Sequence, residues 1–207
     1  MTATDGTIGE AGLYALFDAL GIGYRHFTHP PLHTVEESRE LRGEMPGAHV
    51  KNMFLKARKG GVWLVTCLED RHVRIKDLEK AMGAKDCSFG KPDLLWEVLG
   101  VLPGAVTPFA LANPGAGGVR FVLDAEIMAQ EVVNAHPLHN EATVAIATAD
   151  LEPFLAHTGH APQMLDFAPL EEAARAHAAA RAAAEDAHKG AGGGAGGGAG
   201  ESAGGGS

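Results

Sequence analysis

The chain is poor in several things that would point to familiar chemistries. It has two cysteines, Cys67 and Cys87, in 207 residues. That excludes a disulfide framework and any CxxC metal pair, and Cys67, inside an apolar run, reads as a small core residue. No apolar stretch approaches the ~20 residues that cross a bilayer. The opening MTATDGTIGEAG carries neither a basic n-region nor an apolar h-region, so a soluble, cytoplasmic protein is expected. GxSxG, GxxxxGK[ST], HExxH and a strand-to-helix GxGxxG are all missing, which argues against serine-elbow, P-loop, zincin and nicotinamide chemistry. Positive charge is also in deficit. A formal net charge of -9 argues against a general nucleic-acid coat or broad DNA binding. From Gly190 onward there is no large apolar residue, so residues 190–207 are expected to be a disordered tail.

What remains is one domain of ordinary size, residues 1–167, followed by an Ala-rich segment over 168–189 that reads as an appended helix with Leu170 as its sole large apolar residue. Leu13, Leu16, Phe17 and Leu20 give a helical stripe stopped by Gly21. Tyr24–Thr28 reads as a short strand. His29-Pro30-Pro31-Leu32-His33 forces an extended turn, because neither proline donates a hydrogen bond. Thr34–Glu37 is a capping box opening a helix to about Arg42. Val50–Ala57 and Val62–Leu68 read as a hairpin, with Val73–Ile75 as a third strand. Helices follow at Lys76–Met82 and Pro92–Leu99. Ala105–Ala112 and Val119–Leu123 read as a second hairpin. A strand at Thr143–Ala147, a helix at Leu151–His157 and a strand at Pro162–Phe167 complete the pattern. Helices interleaved with hairpins imply a mixed α+β sheet rather than a doubly wound one.

Lys51-Asn52 is the oddest pair in the chain, because it opens the apolar run Met53-Phe54-Leu55. Alternation sends Met53 and Leu55 to the face of Lys51, and Asn52 and Phe54 to the other. An ammonium at that place is either at the wet end of a strand or held for an anion. Between Lys51 and Lys91 ten Lys and Arg stand against five Asp and Glu, a local +5 that suits either a phosphate-facing surface or a solvated face. The histidines of His29-Pro30-Pro31-Leu32-His33 and His136-Pro137-Leu138-His139 lack the spacing of a helix-face metal site, and no Cys or carboxylate completes a set, so no metal is expected. A loop His beside a Pro is left with a hydrogen-bonding or positioning role.

The segments HPPLHTVEES, PGAHVKNMFLK, LEDRHVRIKDLEK, SFGKPDLLWEVLGVLPGAVTPFAL, VRFVLD, VNAHPLHNEATVAI, DLEPFL and PQMLDF, in that order, resemble the prolyl-tRNA-synthetase-associated editing domain family of the YbaK/INS superfamily. The resemblance runs from about Leu13 to Phe167 and is strongest to free-standing deacylases that clear alanine from tRNA(Pro). It implies a single mixed α/β domain with a central curved sheet and surrounding helices. It further implies hydrolysis of the ester joining a wrong amino acid to the tRNA 3′ end, with no metal or organic cofactor. The family's essential Lys falls on Lys51, its neighbouring Asn on Asn52 and its pocket-loop His on His136. Leu32 and Val35 are placed to size the amino-acid pocket. Asn134 and Pro137, with Asn140, fit the family's loop and are grouped with the substrate-binding positions without an assigned chemistry.

The implied partner is mischarged tRNA(Pro), with prolyl-tRNA synthetase or an elongation factor as further partners, and neither DNA nor a membrane. The residue types suit such a reaction. Lys51 can pair with a phosphate or a developing negative charge, Asn52 with ribose or ammonium, and His136 with the carbonyl or α-amine. A ribose hydroxyl beside the ester could orient the water, which would account for the missing Ser or Cys nucleophile. Editing has a physical motive, because a missing methylene is worth only ~1–3 kcal/mol in a synthetic site. Clearance of another amino acid, such as cysteine, from tRNA(Pro) and a non-catalytic tRNA- or synthetase-binding module are the alternatives at this stage.

Overall fold

A computed structural model describes residues 6–31 and 45–191, with side chains described as far as 185 in the last helix. The chain runs α1 (Glu10–Leu20), β1 (Tyr24–Thr28), β2 (Ala48–Ala57), β3 (Val62–Leu68), α2 (Ile75–Met82), β4 (Cys87–Phe89), α3 (Pro92–Leu99), β5 (Val119–Asp124), β6 (Val132–Ala135), β7 (Ala142–Ala147), α4 (Leu151–Thr158), β8 (Gln163–Leu165) and α5 (Ala168–Ala191). The strands form one mixed sheet in the order β1-β7-β6-β2-β3-β5-β8, with β4 paired to β2. The β1·β7, β7·β6, β2·β3 and β2·β4 pairs are antiparallel, and β6·β2, β3·β5 and β5·β8 are parallel. This is the mixed α/β architecture that the interleaved pattern implies.

Each face of the sheet carries its own apolar cluster. The larger joins Leu13 and Phe17 of α1, Leu95 and Leu99 of α3, and Leu151, Phe154 and Leu155 of α4 to Phe54 and Leu64 of the sheet. The smaller joins Leu78 and Met82 of α2 to Leu55, Trp63, Val65, Cys67 and Phe167, with Leu170 of α5 packed on its rim. Each fully buried Leu or Phe stabilises the fold by about 1.5–3 kcal/mol relative to exposure. Strand β3 feeds both clusters and is buried at five consecutive residues, as its uniformly apolar sequence requires of a central strand. Helices α1 and α3 stop at Gly21 and Gly100, with φ of 70° and 63°. There the left-handed backbone turns the chain away while cap N–H groups satisfy the last carbonyls.

Two sequence expectations fail for identifiable reasons. Val73–Ile75 is not a strand, since Ile75 opens α2. Ile75, Leu78 and Met82 all pack on the smaller cluster at helical spacing, and that period overrides the alternation of Val73 with Ile75. Ala105–Ala112 does not pair with Val119–Leu123. Pro108–Ala112 is a 3-10 turn in which the Thr107 hydroxyl accepts from the Phe109 N–H at 3.3 Å, and Pro114 opens a second 3-10 turn. Strand β5 instead runs parallel to β3. Strands β4 and β6 were not expected. The capping-box helix, with Leu32 and Val35, lies outside the described residues, as does the glycine-rich sequence beyond Ala191.

Candidate functional site

The entry to β2 explains part of the PGAHVKN segment. Gly47 has φ +109°, and a Cβ there would lie 2.7 Å from the Val132 carbonyl oxygen and 2.8 Å from the Val132 Cβ. Only glycine permits that approach of β2 to β6. The two strands pair in parallel at Ala48↔Val133 and His49↔Asn134. Beyond that last pair, Lys51 lies two residues further along β2 and His136 two residues further along β6. Non-local pairing thus brings the start of β2 beside the end of β6. Asn134 is buried at this junction, and its Nδ2 donates to the Pro46 carbonyl at 3.1 Å and the Ala48 carbonyl at 3.3 Å. That side chain fastens β6 to β2.

Lys51 stands opposite Cys67 across the β2·β3 ladder, on the face of the smaller cluster. Its Nζ donates to the backbone carbonyl of Arg71. An ammonium has three donors, so two remain for an anion. A cavity of about 290 Å³ opens here, lined by Lys51, Met53, His72, Arg74 and Ala174 among others.

The Arg71 guanidinium is buried among carboxylates. Its Nε meets Asp124 Oδ2 at 2.9 Å, one terminal nitrogen meets Glu171 Oε2 at 2.7 Å, and the other bonds Glu126. Burial alone would lower the Arg71 pKa, but hydrogen bonds to Asp124 and Glu171 reverse it and hold the guanidinium charged. Burial likewise pushes the Glu171 carboxyl up, while Arg71 and the His72 N–H pull it below its ordinary value, with the net shift downward. Cys67 is pushed up to about 12 by burial, against the pull of Lys51. It stays a thiol at neutral pH, which removes it as a nucleophile.

Asn52 faces the other way, toward the larger cluster, with Phe54 beyond it. Its Nδ2 donates to the Val106 carbonyl at 2.9 Å, and its Oδ1 accepts from the Thr66 hydroxyl at 2.6 Å. Thr66 is 1% exposed. Lys51 and Asn52, adjacent in sequence, therefore serve opposite faces of the sheet. One amide hydrogen and one oxygen lone pair of Asn52 remain for a ligand.

His136 Nδ1 lies 2.9 Å from the Ala142 carbonyl. A carbonyl only accepts, so Nδ1 carries the proton, and the neutral ring offers Nε2 as an acceptor. Burial is the main reason the His136 pKa is lowered; the Ala142 bond opposes it, while His29 and His139 add to it. The ring sits 6.2 Å, centroid to centroid, from His29. His29 is buried, donates from Nδ1 to the Pro30 carbonyl at 2.8 Å and accepts at Nε2 from the Thr143 hydroxyl at 2.9 Å. The two His-Pro segments meet because β1 pairs with β7 and the His29 N–H reaches the Glu141 carbonyl at 3.0 Å.

The loop after His136 is tightly set. Pro137 is buried, and Leu138 adopts φ +73°, a costly backbone state for a branched side chain that surrounding structure must enforce. His139 and His26 both reach Glu10, at 3.3 and 3.2 Å, tying the loop to α1. Among the described residues no group of three His, Cys, Asp or Glu side chains is placed to hold a metal ion, and no helix is long and apolar enough to cross a membrane.

Thr66, Arg71 and Glu171 belong to this surrounding and were missed from sequence, whereas His29 was singled out there only as a hydrogen-bonding or positioning histidine. The hint for Arg71 was a lone arginine directly after a buried strand. Nothing in the Ala-rich segment marked Glu171.

Comparison with known proteins fits this geometry. Residues 29–154 match the aminoacyl-tRNA editing domain family, a span that includes β2, β6 and both His-Pro segments. A Bos taurus protein called prolyl-tRNA synthetase associated domain-containing protein 1 is 38% identical over 163 residues, covering 76% of this chain and 95% of that protein. The prolyl-tRNA editing protein ProX of Acetoanaerobium sticklandii is 33% identical over 152 residues, covering 73% of this chain and 93% of its own. A crystal structure of a candidate trans-editing enzyme for prolyl tRNA synthetase shares the fold, with a TM-score of 0.57 and 19% identity over 76% of this chain and 95% of that one.

Proposed function

This chain belongs to the aminoacyl-tRNA editing domain family, and on that premise we propose that it is a deacylase of mischarged tRNA(Pro), with Ala-tRNA(Pro) as its substrate. The observation that carries the reading is the parallel pairing of β2 with β6, which sets Lys51 and His136 each two residues beyond the His49↔Asn134 pair. Lys51 has two unspent donors, and the neutral His136 ring leaves an acceptor nitrogen free. A relative of this chain is named as a prolyl-tRNA editing protein, which supports tRNA(Pro) as the carrier.

In this proposal Lys51 neutralises the terminal phosphate or the oxyanion that develops as water adds to the ester carbonyl. Charge held ready in a site that excludes water stabilises a transition state without reorganisation. His136 Nε2 accepts from the substrate's α-ammonium and fixes the carbonyl in place. Asn52, on the opposite face, holds the Val106 carbonyl. Water adds to the carbonyl carbon, the bond to the ribose oxygen breaks, and that oxygen leaves with a proton as a hydroxyl. No side-chain nucleophile is required, and the neighbouring ribose hydroxyl orients the water. Leu32 and Val35, outside the described residues, are proposed to limit the pocket to small amino acids, and the buried Asn134 and Pro137 to support substrate binding.

The test is to incubate the protein with Ala-, Cys-, Ser- and Pro-charged tRNA(Pro) in parallel with Lys51→Ala. Clearance of Ala-tRNA(Pro), with Pro-tRNA(Pro) spared, is expected. Hydrolysis of none of the four overturns the enzyme reading in favour of a binding module, and faster clearance of cysteine reassigns the substrate. A terminal 2′-deoxy tRNA carrying alanine on its 3′ oxygen should resist; hydrolysis at full rate overturns the hydroxyl's role.

A further inference from the structure

The peptide group joining Arg71 to His72 is gripped at both ends. Its carbonyl accepts from Lys51 Nζ. Its N–H donates to Glu171 Oε1 at 3.2 Å. The other oxygen of the same carboxylate takes the Arg71 guanidinium at 2.7 Å. Arg71 is 8% exposed, and Asp124, its second partner on β5, is fully buried, so the turn after β3 cannot shift without breaking buried ion pairs. Glu171 itself is fixed because α5 begins just ahead of it. Phe167 is fully buried in the smaller cluster, Leu170 packs on that cluster, and the Asp166 carboxylate accepts the Ala168 N–H at 2.9 Å.

We propose that Glu171, on the appended helix α5, is a positioning residue for Lys51, acting through the Arg71–His72 peptide group and the Arg71 guanidinium. This rests on reading Lys51 as the site's cation. The chain of bonds runs Glu171 carboxylate, His72 N–H, Arg71 carbonyl, Lys51 ammonium. Each member polarises the next, so the carboxylate strengthens the carbonyl as an acceptor and fixes where the ammonium sits. α5 is therefore part of the site's supporting shell, although residues 176–185 of the same helix are exposed.

The full-length chain is labelled with [13C]lysine, and the Lys51 ε-carbon resonance is assigned by its loss in Lys51→Ala. Glu171→Ala is expected to move that resonance and the His72 amide. It should lower kcat/KM for Ala-tRNA(Pro) by about 3- to 10-fold, the coupling expected of residues in one hydrogen-bond network. Glu171→Gln keeps an acceptor for the His72 N–H and should recover part of both effects; it also carries the test if the alanine variant does not fold. Glu172→Ala, exposed one residue along, should change neither. An unmoved Lys51 resonance in Glu171→Ala overturns the proposal, as does lost activity with that resonance in place. A wild-type chain inactive on every charged tRNA strikes the proposed function alone, because the resonance shift still decides the positioning.

Discussion

The two faces of strand β2 are built on different principles. On one, Lys51 offers a charge to an open cavity and is held by the backbone carbonyl of Arg71, whose guanidinium is fixed by Asp124, Glu126 and Glu171. On the other, Asn52 is neutral and spends both ends of its amide on Thr66 and the Val106 carbonyl. One face keeps two of three ammonium donors in reserve, and the other uses half of its amide's capacity to fix a backbone carbonyl and a buried hydroxyl. Residues next to each other on a strand therefore take unlike tasks, because the pleat separates them.

Lys51→Ala should break this contrast most severely. It is expected to lower kcat/KM for deacylation of Ala-tRNA(Pro) by about 10²- to 10³-fold, the usual loss on removing one preorganised electrostatic donor. The unfolding midpoint in urea should barely move, because the Arg71 carbonyl that it frees lies beside the open cavity. Equal losses of activity and stability would show Lys51 to be structural.

Asn52→Ala should show the reverse balance. It leaves the buried Thr66 hydroxyl without its acceptor, which costs about 1–3 kcal/mol of stability, measurable by chemical denaturation. An unchanged midpoint would mean that Asn52 is held for a ligand rather than for the fold.

His136 sharpens the comparison through pH. Its folded pKa is depressed below the ordinary 6.5, so its stabilising contribution is present above pH 6.5. It is lost as pH falls through the folded value, where the unfolded chain binds the extra proton first. The His136 ring should titrate below 6.5 by NMR, and His136→Gln should flatten the stability profile between pH 7 and 5. Titration at or above 6.5 would contradict the neutral, acceptor-bearing ring. The smallest effect belongs to Glu171. Its folded pKa lies below the ordinary 4.5, so its contribution is complete above that pH and fades as acid takes pH through the folded value. Urea midpoints of wild type and Glu171→Gln should converge on acidification; a constant gap would contradict this.

Much of the fold was legible because it rests on local rules. Tyr24–Thr28, Val62–Leu68 and Pro92–Leu99 occupy the bounds their alternation, apolar run and proline-glycine punctuation indicate. The segment over 105–112 misled because Thr107-Pro108 turns the chain within a composition that otherwise reads as strand. β6 was overlooked because Val132–Ala135 is only four residues long and draws its stability from β2 and β7 on either side. At the candidate site, the Lys51-Asn52 pair stood out by context, and the family resemblance assigned Lys51, Asn52 and His136 their roles. Arg71 and Glu171 did not stand out, because their significance is a matter of which residue each one touches.

The sequence by itself determined the residue types, the extended turn that Pro30 and Pro31 enforce, and the alternation that divides Lys51 from Asn52. These follow from side-chain chemistry and backbone stereochemistry within a few residues. Tertiary structure alone decided that the end of β6 runs beside the start of β2. It also decided that a carboxylate 120 residues after Lys51 closes on the peptide group holding that lysine. Such choices are made by burial and ion pairing summed over the whole sheet, and no local window of sequence contains them.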